Sequence, residues 1–94
     1  MIEEATVDAH DESEQILGFF TMLEDNLVLP FETELLGVTV TVEELDLTDD
    51  DRIVAVCERG RSRQRISLLD LPLPVPPPEG AAWIAAFRRW ARVN

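Results

Sequence analysis

Within its 94 residues this chain has no lysine, a single cysteine, a single histidine and only four glycines. Because Cys57 is alone, neither an internal disulfide nor a thiolate metal cage can form. There is no glycine-rich phosphate loop. No apolar run approaches the roughly 20 residues that a spanning helix needs. The start, MIEEATVDAHDE, lacks the basic stretch and apolar core of a secretory signal, so the expected address is cytoplasmic. Positive charge is missing altogether from residues 1–51.

What is present is acid, unevenly placed. Sixteen of the nineteen carboxylates precede residue 52, whereas all eight Arg follow it alongside Glu58, Asp70 and Glu79, giving −16 and +5 for a total of −11. An acidic surface repels phosphates and anionic lipid, which disfavours nucleic-acid and membrane partners, and it attracts hard cations and basic proteins. With 46% hydrophobic residues, two Trp and four Phe, the chain is too apolar for a disordered acidic tail. One folded domain over 1–94 is expected, a size that buries about 60% of the unfolded surface.

Residues 1–11 are acidic and aperiodic and are expected to fray. A helix over 12–28 follows, capped by Asp11 or Ser13, with Ile16, Phe20, Leu23 and Leu27 on its apolar face and Leu17 and Phe19 flanking. Pro30 lies beyond its end. Over 29–70 the pattern is that of a β module. Phe31 to Leu35 alternates, Leu36-Gly37 makes a turn, and residues 38–42 form a β-branched strand of period two. Its apolar positions are even-numbered through Val42 and odd at Leu45 and Leu47, a parity slip that predicts a β-bulge at Glu43-Glu44. Thr48-Asp49-Asp50-Asp51 is a turn, 53–57 a strand covered on both faces, Gly60 a hairpin, and 65–69 the return strand. The segment LPLPVPPPEG, residues 71–80, has five prolines and reads as a stiff extended strap. A second helix over 80–92 places Trp83, Phe87 and Trp90 on one face, with Arg88, Arg89 and Arg92 on the other. The fold class is therefore α+β, with a small antiparallel SH3-like β-barrel or curled sheet. A flat sheet with both helices on one face is the alternative.

Catalytic constellations are nearly absent, and the chain reads as no enzyme. His10 reads as a solvated surface residue, the serines have no ordered base in view, and Cys57 reads as a small core residue. The acidic clusters carry the positive signal, since calcium takes six to eight oxygens from converging carboxylates and carbonyls. Asp46, Thr48 and Asp50 match the first alternate positions of an EF-hand loop. The match then fails, because Asp51 stands where Gly is required and Cys57 where a bidentate Glu belongs. A turn-based site would use Asp46, Asp49, Asp50 and Asp51, with Glu43 or Glu44 reaching in from the bulge. The plainer reading is a solvated Asp-rich turn. Arg59, Arg61, Arg63 and Arg65 bracket the hairpin either as an anion or nucleic-acid finger or, with no aromatic residue between them for base stacking, as partners for the acids. The Trp83/Phe87/Trp90 face either closes the core or anchors a protein partner or a second copy.

At residues 14–31, EQILGFFTMLEDNLVLPF, the sequence resembles the CcbP-type calcium-binding protein family, whose helix reads E-Q-L-x-G with L-E-D-x-L and then P-F. Gln15, Gly18, Leu23, Glu24, Asp25, Leu27, Pro30 and Phe31 match that pattern, with Ile16-Leu17 at its L-x positions, and the likeness extends to about residue 71. The resemblance implies reversible calcium binding through clustered surface carboxylates without an EF-hand, and it marks Glu24 and Asp25 as motif positions. The expected metal ligands are thus Glu24, Asp25, Glu43, Glu44, Asp46, Asp49, Asp50 and Asp51.

Overall fold

The computed structural model describes residues 11–93. The fraying expected of the N-terminal end, and the surface role expected of His10, lie outside the described residues. Two helices flank four strands, in the order α1 (Glu12–Asn26), β1 (Phe31–Leu35), β2 (Val38–Leu47), β3 (Ile53–Arg59), β4 (Ser62–Ser67) and α2 (Ala81–Val93). Among the described residues no helix is long and apolar enough to cross a membrane.

Asp11 caps α1: its backbone is extended and its carboxylate accepts the Glu14 N–H at 2.8 Å. Glu12 and Glu14 in the first turn suit the positive end of the helix dipole. The helix ends at Asn26, two residues before the expected boundary, and Leu27 is extended, its N–H donating to Leu23 O at 2.8 Å. The buried stripe is Ile16, Phe19 and Leu23, so Phe19 is in the core and Phe20 only half-buried, the reverse of the order read from the spacing. The two positions lie on either side of the stripe's axis, and the partner helix decides between them. Phe19 meets Phe87 at 5.6 Å edge-on and Trp90 at 5.4 Å, both from α2.

The strands form one antiparallel sheet in sequence order, with β1 and β4 as its edges. It is open, so the α+β antiparallel expectation holds, while closure into an SH3-like barrel does not follow from these pairings. The Leu36-Gly37 turn has positive φ at both residues, 51° and 79°, matching the twist of a two-residue hairpin. The bulge lies where the parity slip put it: Val42 pairs with Cys57 and Glu44 with Val56, leaving Glu43 as the extra residue. The fourth strand runs Ser62–Ser67 rather than 65–69, in register with β3 from Arg59 opposite Ser62 to Val54 opposite Ser67.

Val40, Val42, Leu45, Ile53, Ala55 and Cys57 share the inner face and build the core with α1 and α2. Trp83, Phe87 and Trp90 are all buried in it, and Trp90 Nε1 donates to Gln15 Oε1 at 2.9 Å. The aromatic face of α2 therefore closes the core, the first of its two readings. Residues 71–80 have neither helix nor strand; Thr33 Oγ1 of β1 donates to Pro72 O at 2.6 Å. Gly80, at φ +88°, abuts the end of α1, where the Val28 N–H donates to Glu79 O at 2.9 Å.

Candidate functional site

The Asp-rich turn between β2 and β3 is closed by its own hydrogen bonds. The Thr48 N–H donates to Arg52 O at 2.8 Å, and the Arg52 N–H returns a bond to Thr48 Oγ1 at 3.0 Å. Asp51 takes the left-handed backbone at φ 61°, a conformation that Asp tolerates better than most side chains. Asp50 accepts the Thr48 hydroxyl and lies 3.2 Å from the Arg52 guanidinium. The Thr48 hydrogen bond, with help from its own backbone and Arg52, holds the Asp50 carboxyl below its ordinary pKa against a smaller opposing effect of desolvation. Asp51 accepts the Ser13 hydroxyl at 2.9 Å, which docks the turn on the first turn of α1. A carboxylate there is favoured by the helix dipole.

On the outer face of the sheet two of the expected ligands, Glu44 and Asp46, meet the arginines of β4. Arg63 lies 3.0 Å from Glu58 and 3.8 Å from Glu44, and Arg65 pairs with Asp46. These pairs flank Val54 and Val56, which are buried without belonging to the inner core. Arg65 stands directly opposite Val56, a position from which an aliphatic stem can cover the valine, and its guanidinium pairs with Asp46. Arg63 and Arg65 thus pair with acids, as the plainer reading of the hairpin arginines expected.

The eight expected ligands do not form one centre. Glu24 and Asp25 are exposed at the far end of α1 from Ser13, roughly 16 Å along the axis from the helix end that meets Asp51. Glu43 is exposed at the bulge, on the order of 15 Å along β2 from the turn. Asp49 is exposed at the turn itself. Among the described residues no three His, Cys, Asp or Glu side chains come together to hold a metal ion. Asp46 and Glu44 face arginines, and Asp50 and Asp51 already accept hydroxyls, so this donor set does not fit a preformed calcium cage of six to eight oxygens.

One arrangement was not visible in the pattern. Between the turn, the start of α1 and the last turns of α2 lies a cavity of about 480 Å³ whose lining includes Glu12, Asp51, Asp70, Arg52 and Trp90. Its residues are scattered through the sequence, and hydrogen bonds between distant positions, Ser13–Asp51 across 38 residues and Trp90–Gln15 across 75, join the elements around it.

Searches against protein-family models, characterised proteins and solved structures find no match to this chain.

Proposed function

We propose that this is a small, non-catalytic acidic protein that binds calcium weakly and reversibly at exposed carboxylates, as a buffer or a low-affinity sensor. The observation that carries the reading is the end of α1. Glu24 and Asp25 sit in the region where the helix dipole is negative, and no basic residue occupies the last turn. A divalent cation there would relieve two carboxylates and the last carbonyls together. The same two residues belong to the segment that resembles the CcbP-type family, which supports calcium over other cations. Ligands supplied from one exposed helix end leave most of the coordination to water, which goes with low affinity.

Calcium titration followed by amide NMR, with magnesium at matched ionic strength, tests this. Calcium should shift residues 22–28 selectively, and Glu24→Gln with Asp25→Asn should abolish those shifts. Equal responses to both ions would reduce the effect to screening and sink the reading.

A second reading is a protein-interaction module that meets a basic partner. It is favoured by β1, an edge strand whose Glu32 and Glu34 are exposed with no ion pair among the described residues. A lysine-rich peptide would then perturb β1 without calcium, and Glu32→Gln with Glu34→Gln would remove the effect.

A further inference from the structure

The inner face of the sheet changes character toward the end that bears the Leu36-Gly37 and Gly60 turns. Cys57 and Arg59 are two apart on β3 and share that face; their partners across β4 are Gln64 and Ser62. With Leu35, Val38 and Val40 these residues line a cavity of about 230 Å³. Its apolar floor is formed by buried Val40 and Cys57. Arg59 is exposed and has no ion-pair partner among the described residues, unlike Arg63 and Arg65 on the outer face.

We propose that this cavity binds a small amphiphilic monocarboxylate, a medium-chain fatty acid, with the tail on Val38, Val40 and Cys57 and the carboxylate on Arg59. The sign of the headgroup follows from the guanidinium, which offers a fork of donors matched to a carboxylate. Ser62 and Gln64 add neutral donors on the same side. The size follows from the volume, which is below the ~300 to 1,000 Å³ of drug-sized ligand sites and admits only a slender chain. The net charge of −11 does not forbid an anion here, because no carboxylate is among the residues that line the cavity and the screening length is about 8 Å at physiological salt. This site is separate from the carboxylates assigned to calcium.

Octanoate, octanol and octylamine titrated into the intact chain and followed by amide NMR provide the test. Octanoate should shift Val38, Val40, Cys57 and Gln64, octanol the same residues more weakly, and octylamine least. Arg59→Gln should lower octanoate affinity about tenfold or more, the loss of a charge-assisted hydrogen bond, with octanol binding unchanged. Arg59→Lys should keep part of the octanoate affinity. Unchanged octanol binding shows that the cavity survives the substitution. Octanoate affinity equal in wild type and Arg59→Gln, octylamine binding as tightly as octanoate, or an absence of shifts at these residues would each overturn the proposal.

Discussion

The Arg88 guanidinium reaches from α2 to Leu68 O, at 2.9 and 3.0 Å, and to Leu71 O, fastening the chain where β4 gives way to the proline-rich segment. Burial pulls its pKa below the ordinary value, with Asp70 pushing the other way. Arg88→Ala strands these carbonyls beside the core and should cost about 1 to 3 kcal/mol; Arg88→Lys should recover only part, because an ammonium cannot fork. Urea denaturation checks both. At Gly80 a Cβ would lie 2.1 Å from Asn26 O and 2.7 Å from Leu27 Cα, in a backbone at φ +88°. Both obstacles are backbone, so Gly80→Ala should cost about 3 kcal/mol or more, read from the same denaturation curves. At Asp50 the sign of a pH effect follows from its lowered pKa. A carboxyl depressed by folding contributes stability that is present above its unfolded pKa and is lost as pH falls through the folded one. Thr48→Val removes the largest cause, so the variant should lose less stability than wild type across that acid window, measured by melting temperature against pH.

At the scale of elements, the outer face of the sheet separates ion pairing from packing. The Arg65–Asp46 pair is exposed, and such pairs contribute about 0 to 1 kcal/mol. Arg65 also stands opposite Val56, where its stem can cover the valine, so Arg65→Ala should destabilise by about 1 kcal/mol more than Asp46→Ala. A double-mutant cycle in urea separates the two contributions; equal losses would mean that the stem covers nothing. The first three strands and the bulge at Glu43 were legible in the sequence because period two is a local rule and a slipped parity has one simple cause, whereas the polar β4 was placed at 65–69 rather than Ser62–Ser67. The helix cap was legible as one of two local candidates, Asp11 or Ser13, and the structure selects Asp11. The choice of Phe19 over Phe20 was not, since it depends on rings 68 and 71 residues away, Phe87 and Trp90. Nor was the engagement of Asp51, which rests on Ser13 in another element. Composition showed where carboxylates are dense, but convergence is a property of the fold. In the turn Asp50 and Asp51 are spent on the turn itself and its docking, and Glu44 and Asp46 of β2 on the arginines of β4, while Asp49 and Glu43 stay exposed. Sheet closure was equally illegible, because strand pattern alone does not say whether β1 and β4 meet.

For the whole molecule the layout of charge sets two opposed responses to salt. The ion pairs on the outer face and in the turn, at 3.0 to 3.8 Å, weaken with screening, but each is exposed and contributes little. Repulsion among the sixteen acids of residues 1–51 is relieved by the same salt. At about 0.01 M the screening length is roughly 30 Å, comparable with the 41 × 28 × 22 Å dimensions of the molecule, so nearly all the acids among the described residues act on one another. At about 0.15 M it is roughly 8 Å and only neighbours do. Repulsion therefore outweighs the pairs, and the melting temperature should rise as sodium chloride is raised between these concentrations. Calcium at matched ionic strength should raise it further than sodium does, because a ligand bound only by the folded state stabilises by mass action in addition to screening. Glu24→Gln with Asp25→Asn should remove that excess while leaving the sodium response nearly intact. A melting temperature that falls with sodium chloride would instead make the ion pairs dominant, and would remove self-repulsion as the reason this protein responds to cations.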